Sequence, residues 1–488
     1  MHQPRRKQPI VLALGLLAGS LVSPWIASAH AQPDDTRRIE RQLRTAEGNE
    51  DYRLRTDTNL SLQERTQLDV GGSLSFTGLW INDSSDNSTR LLQPEVVLYA
   101  RASIDGAHQF FARARFVYRT FSDRDSFDGR GDRWIEPFPD RYWYEFDARK
   151  ALAAYQGERV DWNLNFRIGR QFINWGSGIA LSETLYAVTP TIEFDRRWRI
   201  EGLAGITPDH TADFDTSRWD YDERTRRAFF GGRLVYTFEG GSEIYAYGLS
   251  MVDYYNENRL RPPLTPLGRT EFKYDSWYVG LGASGSIGIN WTYDLEGIYQ
   301  NGKSWSDPLR GVQRREDISA AAGKANLAYL FRDEGLSRVE GEVLFATGDS
   351  DRNSASSTSG GNLRGTSDHQ FNALGYANTG LAFAPSLSNL VTLRLGGSTF
   401  PFRTSETFEG LQVGIDGLIF TKFNRQGPID GLSTDRRFLG GEIDVFANWR
   451  LTSDLSMTAR YGIFLPSAGT AGGKNARHFV LVGVTLGF

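Results

Sequence analysis

The sequence predicts an all-β protein, a transmembrane antiparallel β-barrel of 18 strands, with 16 as the other count that its pattern allows. Three observations predict it. The last eleven residues, His478 to Phe488, alternate cleanly: Val480, Val482, Val484, Leu486 and Phe488 share one face, while Leu481, Gly483, Thr485 and Gly487 share the other. Segments of the same period-two pattern recur through the chain, as strands with one apolar face do. No stretch beyond the N-terminal region approaches the roughly 18 apolar residues that a spanning helix needs. In lipid the backbone is satisfied only by helices or by closed barrels, so a chain without the former must use the latter.

The two ends of the chain set its location. A strand that stops on an aromatic residue resembles the terminal strand of bacterial outer-membrane barrels, which their assembly machinery reads through a residue placed like Phe488. At the other end, Arg5, Arg6 and Lys7 precede an apolar run from Ile10 to Val22, followed by small residues at Ala27-Ser28-Ala29 and Ala29-His30-Ala31. This is the pattern of a secretory signal peptide, assigned to residues 1–31. A membrane anchor is the other reading; the run is short for one, and Pro24 interrupts its tail. Residues 32–65 are rich in arginine and lack alternation, as expected of a periplasmic extension or, equally, of a disordered solvated leader. The barrel is assigned to residues 66–488, in the bacterial outer membrane.

Composition agrees. The chain carries 52 glycines and 13% aromatic residues, yet has no cysteine and therefore no disulfide framework or thiolate metal site. Its formal charge of −4 becomes −7 once Arg5, Arg6 and Lys7 leave with the leader, a balance that argues against a nucleic-acid partner.

Taken in order, the apolar stripes are Leu68–Trp80, Val96–Ala102, Phe110–Tyr118, Trp291–Tyr299, Val339–Phe345, Val391–Leu395, Ile443–Trp449 and Leu455–Ile463, each read at alternate positions, before the terminal strand. Aromatic residues near the segment ends read as interfacial girdles. Long polar inserts fall at Ser122–Asp140, Asp209–Arg224, Asn256–Thr270 and Ser350–Gln370, and Arg403–Arg437 is the longest loosely patterned stretch. In a barrel the long connections face outward. The Ser/Gly-rich insert within 350–370 is read either as a gate or as a solvated loop.

Positive charge is carried by 48 arginines against 7 lysines. A guanidinium stays charged and matches a carboxylate with two parallel hydrogen bonds. Alternation puts Arg101, Arg113, Arg115, Arg119, Arg167, Arg197, Arg199, Arg233, Arg338, Arg394 and Arg460 opposite apolar stripes. An arginine facing lipid at mid-depth costs roughly 2–4 kcal/mol, so these side chains are expected in the lumen. Glu145, Asp147, Asp294, Glu296, Glu340, Glu342, Glu442 and Asp444 follow the same phase. The lumen is thus expected to hold cross-strand ion pairs and an arginine-lined path that selects anions. Arg170 is out of phase with this set and falls on the lipid side with Phe166 and Ile168.

Several segments resemble the alginate export family of outer-membrane porins. Phe166-Arg167-Ile168-Gly169-Arg170-Gln171 with Asn174-Trp175-Gly176-Ser177-Gly178 is similar to the family's R-x-GRQ…GD stretch, with Ser177 where Asp is common. Glu193-Phe194-Asp195, Glu296 to Gly302, Phe345 to Arg352, Leu439 to Asp444 and Tyr461 to Pro466 are similar to later elements in the same order. The resemblance implies an 18-stranded barrel that exports an anionic polysaccharide, an alginate-like polyuronate, in partnership with outer-membrane lipid and a periplasmic export scaffold. No cofactor and no metal are expected. A diffusion porin for small anions or sugars is the alternative. An outer-membrane enzyme is a third class, for which Asp209-His210 and Asp368-His369 are the adjacent acid–histidine pairs.

Overall fold

The structure, a computed structural model, describes residues 59–488 except 86, 123–130, 219–220, 222, 224, 255–263, 266–267 and 472. The expected leader and all of the extension before residue 59 lie outside the described residues. No helix among the described residues is long and apolar enough to cross a membrane.

In chain order the strands are β1 (Thr66–Asn82), β2 (Ser88–Ile104), β3 (His108–Phe121), β4 (Arg133–Ile135), β5 (Pro139–Asp147), β6 (Trp162–Trp175), β7 (Leu181–Phe194), β8 (Trp198–Ile206), β9 (Arg227–Thr237), β10 (Glu243–Asp253), β11 (Leu264–Thr265), β12 (Gly268–Arg269), β13 (Asp275–Ile287), β14 (Trp291–Trp305), β15 (Arg315–Leu330), β16 (Arg338–Ala346), β17 (Leu390–Thr399), β18 (Leu411–Lys422), β19 (Phe438–Arg450), β20 (Leu455–Pro466) and β21 (Arg477–Gly487). Each long strand pairs antiparallel with the next, and β1 closes on β21 from Ser73↔Gly487 to Asn82↔His478. The result is a closed barrel of 18 strands. The short β4 pairs with β3 above β5, and β11 with β12 forms a separate loop hairpin. Phe488 completes the seam: its N–H and C=O exchange hydrogen bonds with Gly72, at 3.0 and 2.8 Å. Closure leaves no open sheet edge in the membrane.

Burial follows the alternation. On β1, Leu68, Val70, Leu74 and Phe76 are exposed outward, while Leu79 is buried within. On β21, Val482 and Leu486 face out, and Phe479 and Leu481 are buried inside. Aromatic residues ring the end where the chain terminates, with Trp198 on Tyr236 at 4.6 Å and Trp291 on Tyr329 at 4.8 Å between ring centres. The opposite end has Tyr118 on Trp134 at 5.2 Å. Turns at the terminal end are short, as at 105–107, 195–197 and 288–290. Two longer connections lie there: 148–161, with α1 (Ala148–Ala151) capped by Asp147 and the π-turn Leu152–Gln156, and 400–410. The connections 207–226 and 347–389 lie at the other end.

Two expectations change. Residues 403–437, read as loosely patterned, contain the whole of β18. Its outward stripe of Val413, Ile415 and Ile419 is interrupted by Gly417, while its inner face carries Gly414, where a Cβ would come within 2.2 Å of the Phe446 ring, and Asp416, which bonds Arg394. The insert at 350–370 is part of a connection, 347–389, that runs into the lumen rather than outside it. Asn362, Asp368, Gln370 and Phe371 of this connection are fully buried, while Ser350, Asn353, Arg364, Gly365, Ser367 and His369 stay exposed. Its serines, glycines and asparagines suit a chain that must satisfy its backbone against a polar barrel wall.

Candidate functional site

The lumen is the candidate site, and two connections narrow it. The turn between β6 and β7 folds inward: the Ser177 N–H donates to Glu296 on β14 at 2.8 Å, the Ser177 hydroxyl bonds the same carboxylate, and Tyr247 on β10 donates to it at 2.7 Å. Gly176 sits so close to Glu296 that a Cβ would come within 2.0 Å of it, and the residue has φ near +59°, which favours glycine. Around this point Tyr245 and Tyr247 lie flat over Gly282 and Gly280 of β13.

The second connection is the strap 347–389. Asp368 bridges to Ile318 on β15. Asn372 accepts from Tyr278 on β13 through its carbonyl at 2.9 Å and donates its N–H to Gln300 on β14 at 3.0 Å. Leu374 then bridges to Leu181, and the Tyr376 N–H donates to the Gly178 carbonyl at 3.0 Å. Finally, three successive N–H groups, of Leu381, Ala382 and Phe383, donate to the carboxylate of Glu442 on β19 at 2.5, 2.6 and 2.8 Å. The strap therefore spans the lumen from the β13–β15 wall, past the inward β6–β7 turn, to β19. Phe383 stacks on Phe464 at 4.2 Å, and Arg477 lies over both rings.

The connection 207–226 packs against the strap. Arg227 and Arg218 both bind Asp213, at 2.6 and 2.9 Å, and Arg218 also binds Asp253 at 2.9 Å. Burial by itself would raise the Asp213 carboxyl, but the two guanidinium groups hold it below the usual range. Asp215, raised by burial, accepts from the Thr358 hydroxyl of the strap at 2.5 Å.

The predicted arginines are mostly brought to the inner wall, and mostly in pairs. Arg115 forks onto Glu95 at 2.6 and 2.9 Å. Arg113 binds Asp140, and Arg119 binds Gln93 at 3.1 Å. Arg167 binds Glu145 and lies 4.2 Å over the Trp143 ring. Arg199 and Arg233 share Glu201 at 2.8 and 2.6 Å. Arg394 reaches Asp416 at 3.1 Å, Glu342 at 3.4 Å and also Glu340, which Arg338 shares. Lys324 binds Asp294 at 2.7 Å. Arg101 is buried in the wall. Arg460 differs: it is half-buried on β20, and among the described residues it makes no hydrogen bond, ion pair or ring contact.

Three predicted residues play other parts. Arg197 belongs to the turn 195–197 and pairs with exposed Glu239, so it is a rim residue; the stripe it was read with starts only at Trp198. Asp147 accepts from the Lys150 N–H at 2.9 Å as the cap of α1. Glu442 anchors the strap. Beside it Asp444 is 5% exposed, stands opposite Asp416 in the strand register, and has one carboxylate oxygen with no hydrogen bond. The strap and the inward turn were missed because their contacts join residues far apart in sequence; the Gly176-Ser177-Gly178 turn was their one local sign.

The acid–histidine pairs show no catalytic arrangement. Asp368 is bound to Arg352 at 2.5 Å, and His369 Nδ1 lies 2.8 Å from the Ser319 carbonyl. His210 is 3.9 Å from Glu136. Among the described residues no group of three or more His, Cys, Asp or Glu side chains is placed to hold a metal.

No family model matches the chain, and no curated protein matches it. Solved structures do. OccAB2 of Acinetobacter baumannii superposes with a TM-score of 0.52 at 9% identity, covering 86% of this chain and 98% of its own. OpdK of Pseudomonas aeruginosa, solved with vanillate, gives 0.51 at 10% identity over the same shares. A BenF-like porin of Pseudomonas fluorescens gives 0.50 at 10% identity, again over 86% and 98%. The chain is an 18-stranded barrel of the bacterial outer membrane with the fold of these porins.

This corrects the resemblance to the alginate export family. The structures that the chain matches are substrate-specific porins of another kind. The fragments that carried the resemblance are short: Phe166–Gln171 and Glu296–Gly302 lie within β6 and β14, and Gly176–Gly178 in the turn after β6. The polysaccharide that the resemblance implied goes with it.

Proposed function

We propose that this protein is a diffusion pore selective for small anions. The observation that carries the reading is the strap 347–389, bonded at several points across the lumen and meeting the inward β6–β7 turn. A lumen crossed in this way suits small solutes better than a polymer chain. The arginines of the wall supply the anion contacts: Arg101, Arg113, Arg115, Arg119, Arg167, Arg199, Arg233, Arg394 and Arg460 line it, beside a comparable number of carboxylates. The likeness in fold to a porin solved with vanillate, a carboxylate, points the same way.

The wall would act by weak, repeated contacts. Most of its arginines already share their charge with a carboxylate, so each offers a passing anion part of its hydrogen-bonding capacity. A solute is then drawn in without being trapped, as conduction requires. Among the described residues Arg460 shares its charge with no carboxylate, and it would be the strongest single attraction on the β20 side. No chemical step is needed.

The test is planar-bilayer conductance with a salt gradient, followed by swelling of protein-containing liposomes in small carboxylates and in neutral sugars of equal size. Anion selectivity and faster swelling in carboxylates are expected. Equal permeation by neutral sugars and a reversal potential near zero would leave a general pore and remove the role given to the arginines.

A further inference from the structure

Three large aromatic side chains sit on the inner wall, away from lipid. Tyr99 on β2 is in phase with Arg101, Phe111 on β3 with Arg113, and Trp143 on β5 with Glu145. Each follows a lipid-facing neighbour, Leu98, Phe110 and Tyr142, all exposed outward. Alternation therefore turns the three rings into the lumen. There they stay half-buried.

The rings form one lane. Phe111 and Trp143 are register partners, with ring centres 5.3 Å apart and planes 20° apart. Tyr99 lies diagonally across from Phe111, with centres at 6.4 Å and planes 22° apart. Beyond Trp143, the guanidinium of Arg167 on β6 stands 4.2 Å over its ring. At the other end the Tyr99 hydroxyl lies over Gly71 of β1, where a Cβ would come within 2.7 Å of it. Four strands spaced at about 4.8 Å give the lane a length of about 14 Å. Its residues lie a few positions in from the strand ends at the terminal side. At ~3.3 Å per residue and a tilt of about 40°, that is about 8–13 Å into the pore.

The strap does not explain the lane. It bonds to β13, β14, β19 and the turn at the outer end of β6, whereas the lane crosses β2 to β6 nearer the terminal end. Charge flanks the rings instead. Arg113, two residues along β3 from Phe111, binds Asp140, and Arg101 is the register partner of Phe111 on β2. Arg167 holds Glu145 through Nε and Nη2. Its Nη1 makes no hydrogen bond among the described residues.

A flat π ring stacks favourably on such faces at centre distances of about 4.5–7 Å. A guanidinium beside it takes the acid. A sugar ring would need partners for hydroxyl groups on every side, and the polar neighbours of the lane are already bonded: Arg113 to Asp140, and Glu145 to Arg167 and Asn165.

We propose that Tyr99, Phe111 and Trp143 form a stacking subsite that prefers aromatic acids, ring on the lane and carboxylate at Arg167, over aliphatic or sugar acids of the same charge. The proposal rests on the reading of the barrel as a small-anion pore and adds which anions it favours. Successive faces of similar character let a ring move on rather than stick, as conduction requires.

The experiment compares benzoate with cyclohexanecarboxylate as blockers of chloride current through the full chain in planar bilayers. The two are equal in charge and close in size, but only benzoate has a flat π face. In the unaltered protein benzoate is expected to block half-maximally at about fivefold lower concentration, a comparison that needs no variant to fold. Trp143→Leu and Phe111→Leu should bring that ratio close to one, with each variant's own chloride current as the reference and heat-modifiable migration on SDS gels as the check on folding. Benzyl alcohol, a neutral ring, should block about tenfold more weakly than benzoate; equal block would overturn the part given to the acid. Equal block by the two acids in an anion-selective unaltered channel, or an undiminished ratio in both folded variants, would overturn the proposal and leave the pore reading intact. A reversal potential near zero in the unaltered protein would remove the pore reading, and the proposal with it.

Discussion

Replacing Glu442 by Gln should loosen the strap and raise the conductance. The carboxylate receives two N–H bonds on Oε1 and one on Oε2. The amide that replaces it has one accepting oxygen and turns an NH2 group toward the third N–H. Two charge-assisted bonds become neutral ones and one is lost. With about 1.5–3 kcal/mol for a bond to a charged group and about 0.5–1.5 for a neutral one, the anchor weakens by about 3.5–6 kcal/mol. At about 1.4 kcal/mol per tenfold, local opening of residues 381–383 becomes about 300- to 20,000-fold more frequent. Hydrogen exchange at the Leu381, Ala382 and Phe383 amides measures this directly. Single-channel recording should show a larger mean conductance with more frequent steps. Unchanged exchange at these three amides, together with unchanged conductance, would refute the claim that Glu442 holds the strap in place.

Arg460→Gln should shift the reversal potential toward zero more than Arg115→Gln does, because Arg115 is already forked onto Glu95 while Arg460 has no partner among the described residues; equal shifts would count against ranking lumen arginines by their pairing. Gly282→Val places side-chain atoms where the Tyr245 ring lies, a Cβ alone coming within 2.2 Å of it, and should destabilise the barrel by about 1–3 kcal/mol, read as a lower temperature of heat-modifiable unfolding on SDS gels. Asp430, in the connection 423–437, accepts from the Ser386 hydroxyl of the strap at 2.9 Å, and burial pushes its carboxyl up to about 6. A carboxyl raised on folding binds more protons folded than unfolded between its ordinary value and about 6, so the buried arrangement that packs it against the strap loses stability as pH rises through that window, the cost of burying the charge outweighing the Ser386 bond. Exchange near Ser386 should therefore be slower at pH 5 than at pH 7 after correction for intrinsic rates, and Asp430→Asn should flatten the difference.

Alternation made the barrel legible because a strand in lipid has no freedom of phase: a one-residue slip would bury Phe76 and expose Asp69. That rule placed Arg113, Arg115, Arg167, Arg233 and Arg394 on the inner wall from sequence alone. It failed at β18, where Gly417 interrupts a short outward stripe, and at Arg197, which lies one residue before its strand begins. It marked Arg170 as out of phase and gave no reason; the reason is a register shift, where its guanidinium bonds the Asp140 carbonyl, and two tyrosines contributed by neighbouring strands, Tyr142 and Tyr186. Local motifs of a few residues misled about kinship, since each reports one strand or turn and not the whole barrel.

The sequence by itself determined the class of structure, its membrane setting and the face of most charged residues, because each of these follows from the period of one strand and the cost of exposing charge to lipid. Only the tertiary structure decided which arginines are neutralised, where the 347–389 connection goes and how the lumen is narrowed. Those depend on pairings such as Glu442 with Phe383 or Glu296 with Ser177, whose partners lie dozens of residues apart. No local pattern encodes such a pairing, because it exists only once closure has brought distant strands to face one another across the same interior.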